Sequence, residues 1–314
     1  MDPGLNRENA TPARSLLAPP TGTIDGLRTI FWNERELRAG WRLLIYLALF
    51  LAIGGVESFA AVLLHLPRVT STEITAFALL VQEMILLSAA LAAAVILGML
   101  EGRGLDDYGL PGNGAFGLRF WQGFLWGLVM ISGIILLIRL MGGLSFGELA
   151  LRGRALWGYA VLWSVVFLSV GFFEEFFFRG YAQFTLASGI GFWPSATVIS
   201  AVFGASHLGN RGEDIAGAVS VFVIGMFFCL TLRRTGNLWF AVGLHASFDW
   251  GETFLFSVPN SGVVAPGHLL NSSFHGPVWL TGGTVGPEGS VMAFVVVALA
   301  AAIFSRVFPA GEEK

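Results

Sequence analysis

The sequence predicts an all-α fold: a polytopic transmembrane helical bundle of about eight spans. Two compositional observations and one pattern carry that prediction. Hydrophobic residues make up 55% of the 314-residue chain and charged residues only 12%, well under the usual charged share of a soluble domain. The mean hydropathy is +0.72, so there is too little polar surface to cover the chain in water. Apolar runs long enough to cross a bilayer recur along nearly its whole length.

The net charge of −3 is small and points to no nucleic-acid partner. The single cysteine, Cys229, lies in an apolar run. It excludes an intrachain disulfide and a cysteine-based zinc cluster.

Taken in order, residues 1–40 form a polar tail with several prolines and arginines and no cleavable signal. Residues 1–26 read as disordered. The aromatic and arginine-rich stretch 31–41 reads either as an amphipathic helix on the membrane surface or as a charged lead-in. Eight apolar segments follow, at about 41–64, 74–100, 116–141, 155–186, 191–208, 215–232, 238–258 and 290–308. They divide the chain into three leading spans (41–154), a four-span core (155–258), a loop (259–289) and a last span with a short tail (290–314). The loop, rich in Gly, Ser, Pro and Asn, reads as an irregular cap. In it His268 and His275 are expected at the surface, and Pro287-Glu288 marks a helix start.

Orientation follows from the arginines. Eight spans put both termini on one side, with Arg7 through Arg42, Arg103, Arg119, Arg233, Arg234, Arg306 and Lys314. The other side collects only Arg68, Arg139, Arg152, Arg154 and Arg211. The bias predicts cytoplasmic termini in an integral, multi-pass protein of a bacterial cytoplasmic membrane.

Charged residues inside spans are the candidates for function, because each costs roughly 2.5 to 3.5 kcal/mol on insertion scales. The fourth segment carries Glu174-Glu175-x-x-x-Arg179. On a helix Glu175 and Arg179 stack on one face as an ion pair. Glu174 lies about 100° round the axis and is left for chemistry. The fifth segment ends in Phe203-x-x-x-His207, and the seventh carries His245-x-x-x-Asp249. If the fourth and fifth segments turn near residue 190, Glu174 and His207 lie roughly 21 and 24 Å from the turn at about 1.5 Å per residue, the same level in the bilayer. A carboxylate and an imidazole around one water make a general-base pair, and a second histidine can bind an oxyanion. The same four residues, Glu174, His207, His245 and Asp249, are also competent zinc ligands. No His-Glu-x-x-His motif is present. Glu57 and Glu83, in the first two segments, read as partners for arginines or as interface residues.

These three motifs, in this order on three helices, resemble the CPBP family of type II CAAX prenyl proteases and abortive-infection or bacteriocin-processing proteins. The resemblance covers about residues 155–258. It implies an intramembrane endopeptidase in which Glu174 and His207 activate water, His245 and Asp249 stabilise the oxyanion, and Glu175 and Arg179 form a supporting ion pair. It implies a membrane-associated peptide or protein substrate. Catalysis is glutamate-type, with no required cofactor, or metallo-type with zinc. CAAX-processing members usually carry asparagine where this chain has Asp249. An aspartate there is protonated, orients His245 as an acceptor, or binds metal. The reading from a different class is a non-enzymatic membrane protein, a transporter or an interaction or immunity partner, using the same buried network.

Overall fold

A computed structural model of the chain describes residues 16–17, 29–34, 36–70, 74–210 and 212–309. The expected disorder of residues 1–26 (apart from 16–17), the last five residues of the tail, and Arg7, Arg14, Arg28, Arg35 and Arg211 lie outside the described residues. Eight long helices follow the eight apolar runs. They are α1 (Ala39–Leu63), α2 (Ala76–Glu101), α3 (Leu118–Leu140), α4 (Gly153–Ile190), α5 (Phe192–His207), α6 (Ile215–Thr235), α7 (Trp239–Trp250) and α8 (Val291–Val307). Among the described residues, five of them, α1 to α4 and α6, are long and apolar enough to cross a membrane by length and composition. The other three are shorter, and α7 continues through a π-helical turn, Gly251–Leu255.

The ends are set by local chemistry. Thr75, Asp214 and Ser290 cap α2, α6 and α8, each side chain accepting from the amide three residues on (Ala78, Gly217 and Ala293). The stretch 31–41 is not one helix. The Asn33 side chain accepts from the Glu36 amide at 2.8 Å and Trp32 bridges Leu37, so the chain turns before α1 begins. That side-chain bond competes with helical pairing.

The segment 256–290 is largely irregular. Its Ser273–Phe274 pairs antiparallel with Leu144–Ser145 before α4, and Pro287 opens a short helical turn, Pro287–Gly289. His275 is exposed and lies 2.7 Å from the Ser145 hydroxyl. His268 is half-buried, and its Nδ1 bonds the Leu270 carbonyl. Glu57 accepts from Ser88 of α2 at 2.8 Å, an α1–α2 interface contact with no arginine in it. Glu83 is buried beside Gln82.

The bundle is built around α7, which buries nearly every residue against α3 and α4. Small residues allow this. A Cβ added at Gly243 of α7 would overlap the Phe120 carbonyl oxygen, and one at Gly123 of α3 would overlap that of Phe240. Without an aqueous driving force between helices, such close packing is the main attraction. Gly243→Val is therefore expected to destabilise the protein by about 3 kcal/mol or more, since backbone cannot move aside as a side chain can. A thermal melt in detergent reads the loss. An unchanged melting temperature would show that the two helices can part freely.

At 38 residues, a straight α4 would run about 57 Å, far beyond the roughly 30 Å hydrocarbon core. It is not straight. Residues Glu175–Ala182 are wound as a π-helix, and Gly180 (φ −83°, ψ −112°) leaves helical geometry altogether. Both departures follow directly on Glu174.

Candidate active site

The two adjacent glutamates, both with ordinary helical dihedrals, diverge by about 100° just where the π-helical stretch begins. Glu175 turns into the protein, where it meets Arg179 one turn on at 3.3 Å, with both side chains fully buried. The guanidinium is enclosed by aromatic faces, with Phe203 at 4.1 Å and Phe228 at 5.2 Å from its carbon. Gly225 of α6 makes the room, for a Cβ there would come within 2.7 Å of an Arg179 nitrogen. Glu174 stays partly accessible, its side chain 22% exposed, and lines a cavity of about 180 Å³.

Into that cavity α7 delivers His245 and Asp249. The His245 ring stacks on Phe228 at 5.1 Å. Its Nδ1 lies 3.0 Å from Glu175 and its Nε2 3.5 Å from both Glu174 and Asp249. A carboxylate accepts, so the Nδ1–H donates to Glu175, and the ring is fixed by the residue paired to Arg179. α4 comes close enough because of Gly171, where an added Cβ would sit 3.0 Å from the Ala246 nitrogen.

His207 lines the same cavity from the end of α5. Its Nδ1 lies 2.8 Å from the Phe203 carbonyl oxygen. A carbonyl only accepts, so Nδ1 carries a proton, and in the neutral ring Nε2 has the lone pair. The Phe203-x-x-x-His207 spacing thus has a local meaning. Phenylalanine supplies both a ring against the imidazole, 4.7 Å between centroids, and the carbonyl that selects the tautomer.

All six predicted residues therefore gather at one place. Glu174, His245 and Asp249 are within reach of each other, Glu175 and Arg179 lie directly behind them, and His207 stands across the cavity. A metal centre does not fit them. Among the described residues no group of three or more His, Cys, Asp or Glu side chains is disposed to hold a metal ion. The zinc set Glu174, His207, His245 and Asp249 is not supported, and neither is the metalloprotease class.

Residues 156–251 match the family described as type II CAAX prenyl endopeptidase Rce1-like. The core resembles that family. No curated protein matches the chain. The match supports a CAAX-protease-like endopeptidase and, together with the five apolar helices, an integral membrane protein.

The Rce1-like core does not make the cavity alone. Asn260, Ser261 and Glu288, from the loop, line it as well. One Glu288 oxygen accepts from the Ser261 amide at 2.6 Å and from its hydroxyl at 2.7 Å, tying the two ends of the loop together over the cavity. Burial raises the Glu288 carboxyl above the usual range, and burial beside Glu288 pushes Glu213, before α6, up to about 7. Sequence reasoning missed these residues and Glu252, a buried carboxylate with no hydrogen-bond partner. Glu252 lies three residues past Asp249, a spacing that puts both on one helical face. Glu288 had only its place after Pro287 to mark it.

Proposed function

We propose that the chain is an intramembrane endopeptidase that hydrolyses peptide bonds in membrane-associated peptides or protein tails, with water activated by Glu174 and His207. The observation that carries this reading is convergence: a carboxylate, a histidine with a free Nε2 and a second, donor-fixed histidine line one cavity from three helices.

The water sits between Glu174 and the Nε2 of His207. As its oxygen attacks the carbonyl carbon, its proton passes to this pair. The developing oxyanion is met by the Nε2–H of His245, whose ring in this scheme carries both protons, its Nδ1–H held by Glu175 and its positive charge faced by Asp249 and Glu174. Collapse breaks the C–N bond, and the proton is delivered to the leaving amine nitrogen. Asp249 in this scheme orients His245 as an acceptor and does not itself donate to the oxyanion.

The cavity is lined by Asn210, Asn260 and Ser261, loop-side residues at the end of the bundle away from the termini. With cytoplasmic termini in a bacterial membrane, it opens outward. Glu57 and Glu83, which a transport path through the bilayer would use, do not line it.

The test is cleavage of a lipid-anchored peptide library by the purified protein in detergent, wild type beside His207→Ala, with and without a chelator. Loss of about a hundredfold in kcat/KM in the variant, with the chelator without effect, is the expected result. Undiminished cleavage by His207→Ala would overturn the water-activating pair. Inhibition by chelator reversed by zinc would overturn the metal-free scheme.

A further inference from the structure

At the end of the bundle opposite the cavity lies a second buried polar cluster that the proposed chemistry does not use. Its hub is Glu101, the last residue of α2, whose side chain is fully buried. One oxygen, Oε2, accepts from Arg42 at 3.2 Å, from Arg103 at 3.1 Å and from the Tyr108 hydroxyl at 2.7 Å. The other, Oε1, accepts from the Tyr181 hydroxyl at 2.6 Å.

Tyr181 belongs to the π-helical stretch of α4, one residue past the non-helical Gly180 and two past Arg179. Two buried polar anchors therefore flank the kink. Upstream, Arg179 is held to Glu175; downstream, Tyr181 is held to Glu101 and its ring stacks on Tyr46 at 4.4 Å. A π-helix is a rare winding with i→i+5 bonds, and relaxation to α-helical winding changes the rotation of everything after the kink relative to everything before it. In that relaxed winding Tyr181 keeps Glu101 only if the helix before the kink rotates about its axis, carrying Glu174 off the cavity and Glu175 off His245.

We propose that Glu101, through its hydrogen bond from Tyr181, is a positioning residue that sets the phase of the π-helical stretch and so the side on which the Glu174-Glu175 pair faces. The claim rests on the proposed catalytic role of Glu174 for its kinetic consequence, but its structural consequence stands apart from any activity.

A built-in reporter separates the two. The protein's single cysteine, Cys229, is buried 3.8 Å from Ser200, in the wall that encloses Arg179, and its alkylation rate reads the packing there. Three full-length variants are compared with wild type: Tyr181→Phe, Glu101→Gln and, as a control, Glu174→Gln.

Tyr181→Phe removes the contact and keeps the ring. It is expected to label about tenfold faster at Cys229 and to lose about tenfold in kcat with KM unchanged, since small misplacements of catalytic groups carry penalties of this size. Glu101→Gln keeps an acceptor oxygen for Tyr181 but loses its charge against two arginines. It is expected to melt lower than Tyr181→Phe, yet to keep kcat and labelling within about twofold of wild type. Glu174→Gln is expected to label as wild type.

If kcat and labelling instead follow melting temperature, with Glu101→Gln the worse of the two, the role is general stability and the proposal is overturned. The same holds if Tyr181→Phe labels and cleaves like wild type. Should Glu101→Gln not fold, Tyr181→Phe against wild type still decides. Should no variant or wild type cleave any peptide, the catalytic reading has failed, and the labelling rates decide the phase-setting role by themselves.

Discussion

Glu174→Gln is expected to lower kcat by about three orders of magnitude or more, within the span of positioned general bases, while the melting temperature shifts little. The amide has the size of the carboxylate and fits the same space, but it cannot take a proton from water. Little stability is at stake, because the side chain is partly exposed and its contact with His245 Nε2 is long, at 3.5 Å. Its neighbour behaves in the opposite way. Glu175 is fully buried against Arg179 and His245, so Glu175→Gln is expected to reduce both folding and activity. The measurement is kcat on a lipid-anchored peptide beside a thermal melt for each variant. A Glu174→Gln protein keeping a tenth of wild-type turnover would remove Glu174 from the reaction, whatever the role of His207.

That Glu175 and not Glu174 meets Arg179 was legible in the sequence, and the reason is geometric. Two consecutive helical positions diverge by about 100°, so only Glu175 shares a face with Arg179. The five helices long and apolar enough to cross a membrane were legible for a similar reason, since each needs a long apolar run. His207 and His245 were legible because charge inside such runs is costly and therefore conspicuous.

Other features left no such trace. The π-helix that begins at Glu175 departs from α winding by one hydrogen-bond step, too little to alter the pattern of an almost wholly apolar segment. Glu101 looks like an ordinary charged helix end until Tyr181, 80 positions later, closes on it. Glu83 and Glu57 read as partners for arginines or as interface residues, and the structure gives them Gln82 and, across the α1–α2 interface, Ser88. Neutral donors serve a buried or half-buried carboxylate as well, and spacing along one helix says nothing about the next. Glu288 reaches the cavity only because the loop folds back and Ser261 holds it there. A loop without periodicity carries no signal of where it returns.

Replacing Arg179 with methionine is expected to produce the largest loss of stability of any single substitution in the site, about 3 to 5 kcal/mol, because breaking one side of a buried pair leaves the other charge uncompensated. Glu175 has no route to water: its side chain is fully buried, and its second oxygen already lacks a hydrogen-bond partner. Methionine would fill the aromatic cage of Phe178, Phe203 and Phe228 without replacing the charge. Arg179→Lys is expected to fall between methionine and wild type, since it restores charge but not a flat group for stacking on the rings. The decisive comparison is the double substitution Glu175→Leu with Arg179→Met. An apolar pair of similar volume often matches a buried ion pair in stability, so the double variant is expected to melt above Arg179→Met alone. It should nonetheless cleave poorly, because His245 has lost the carboxylate that accepts from its Nδ1. Recovery of the fold without recovery of turnover would separate the structural role of the pair from its role in holding His245. A double variant that folds no better than the single one would show that the cage itself, and not the uncompensated charge, sets the penalty.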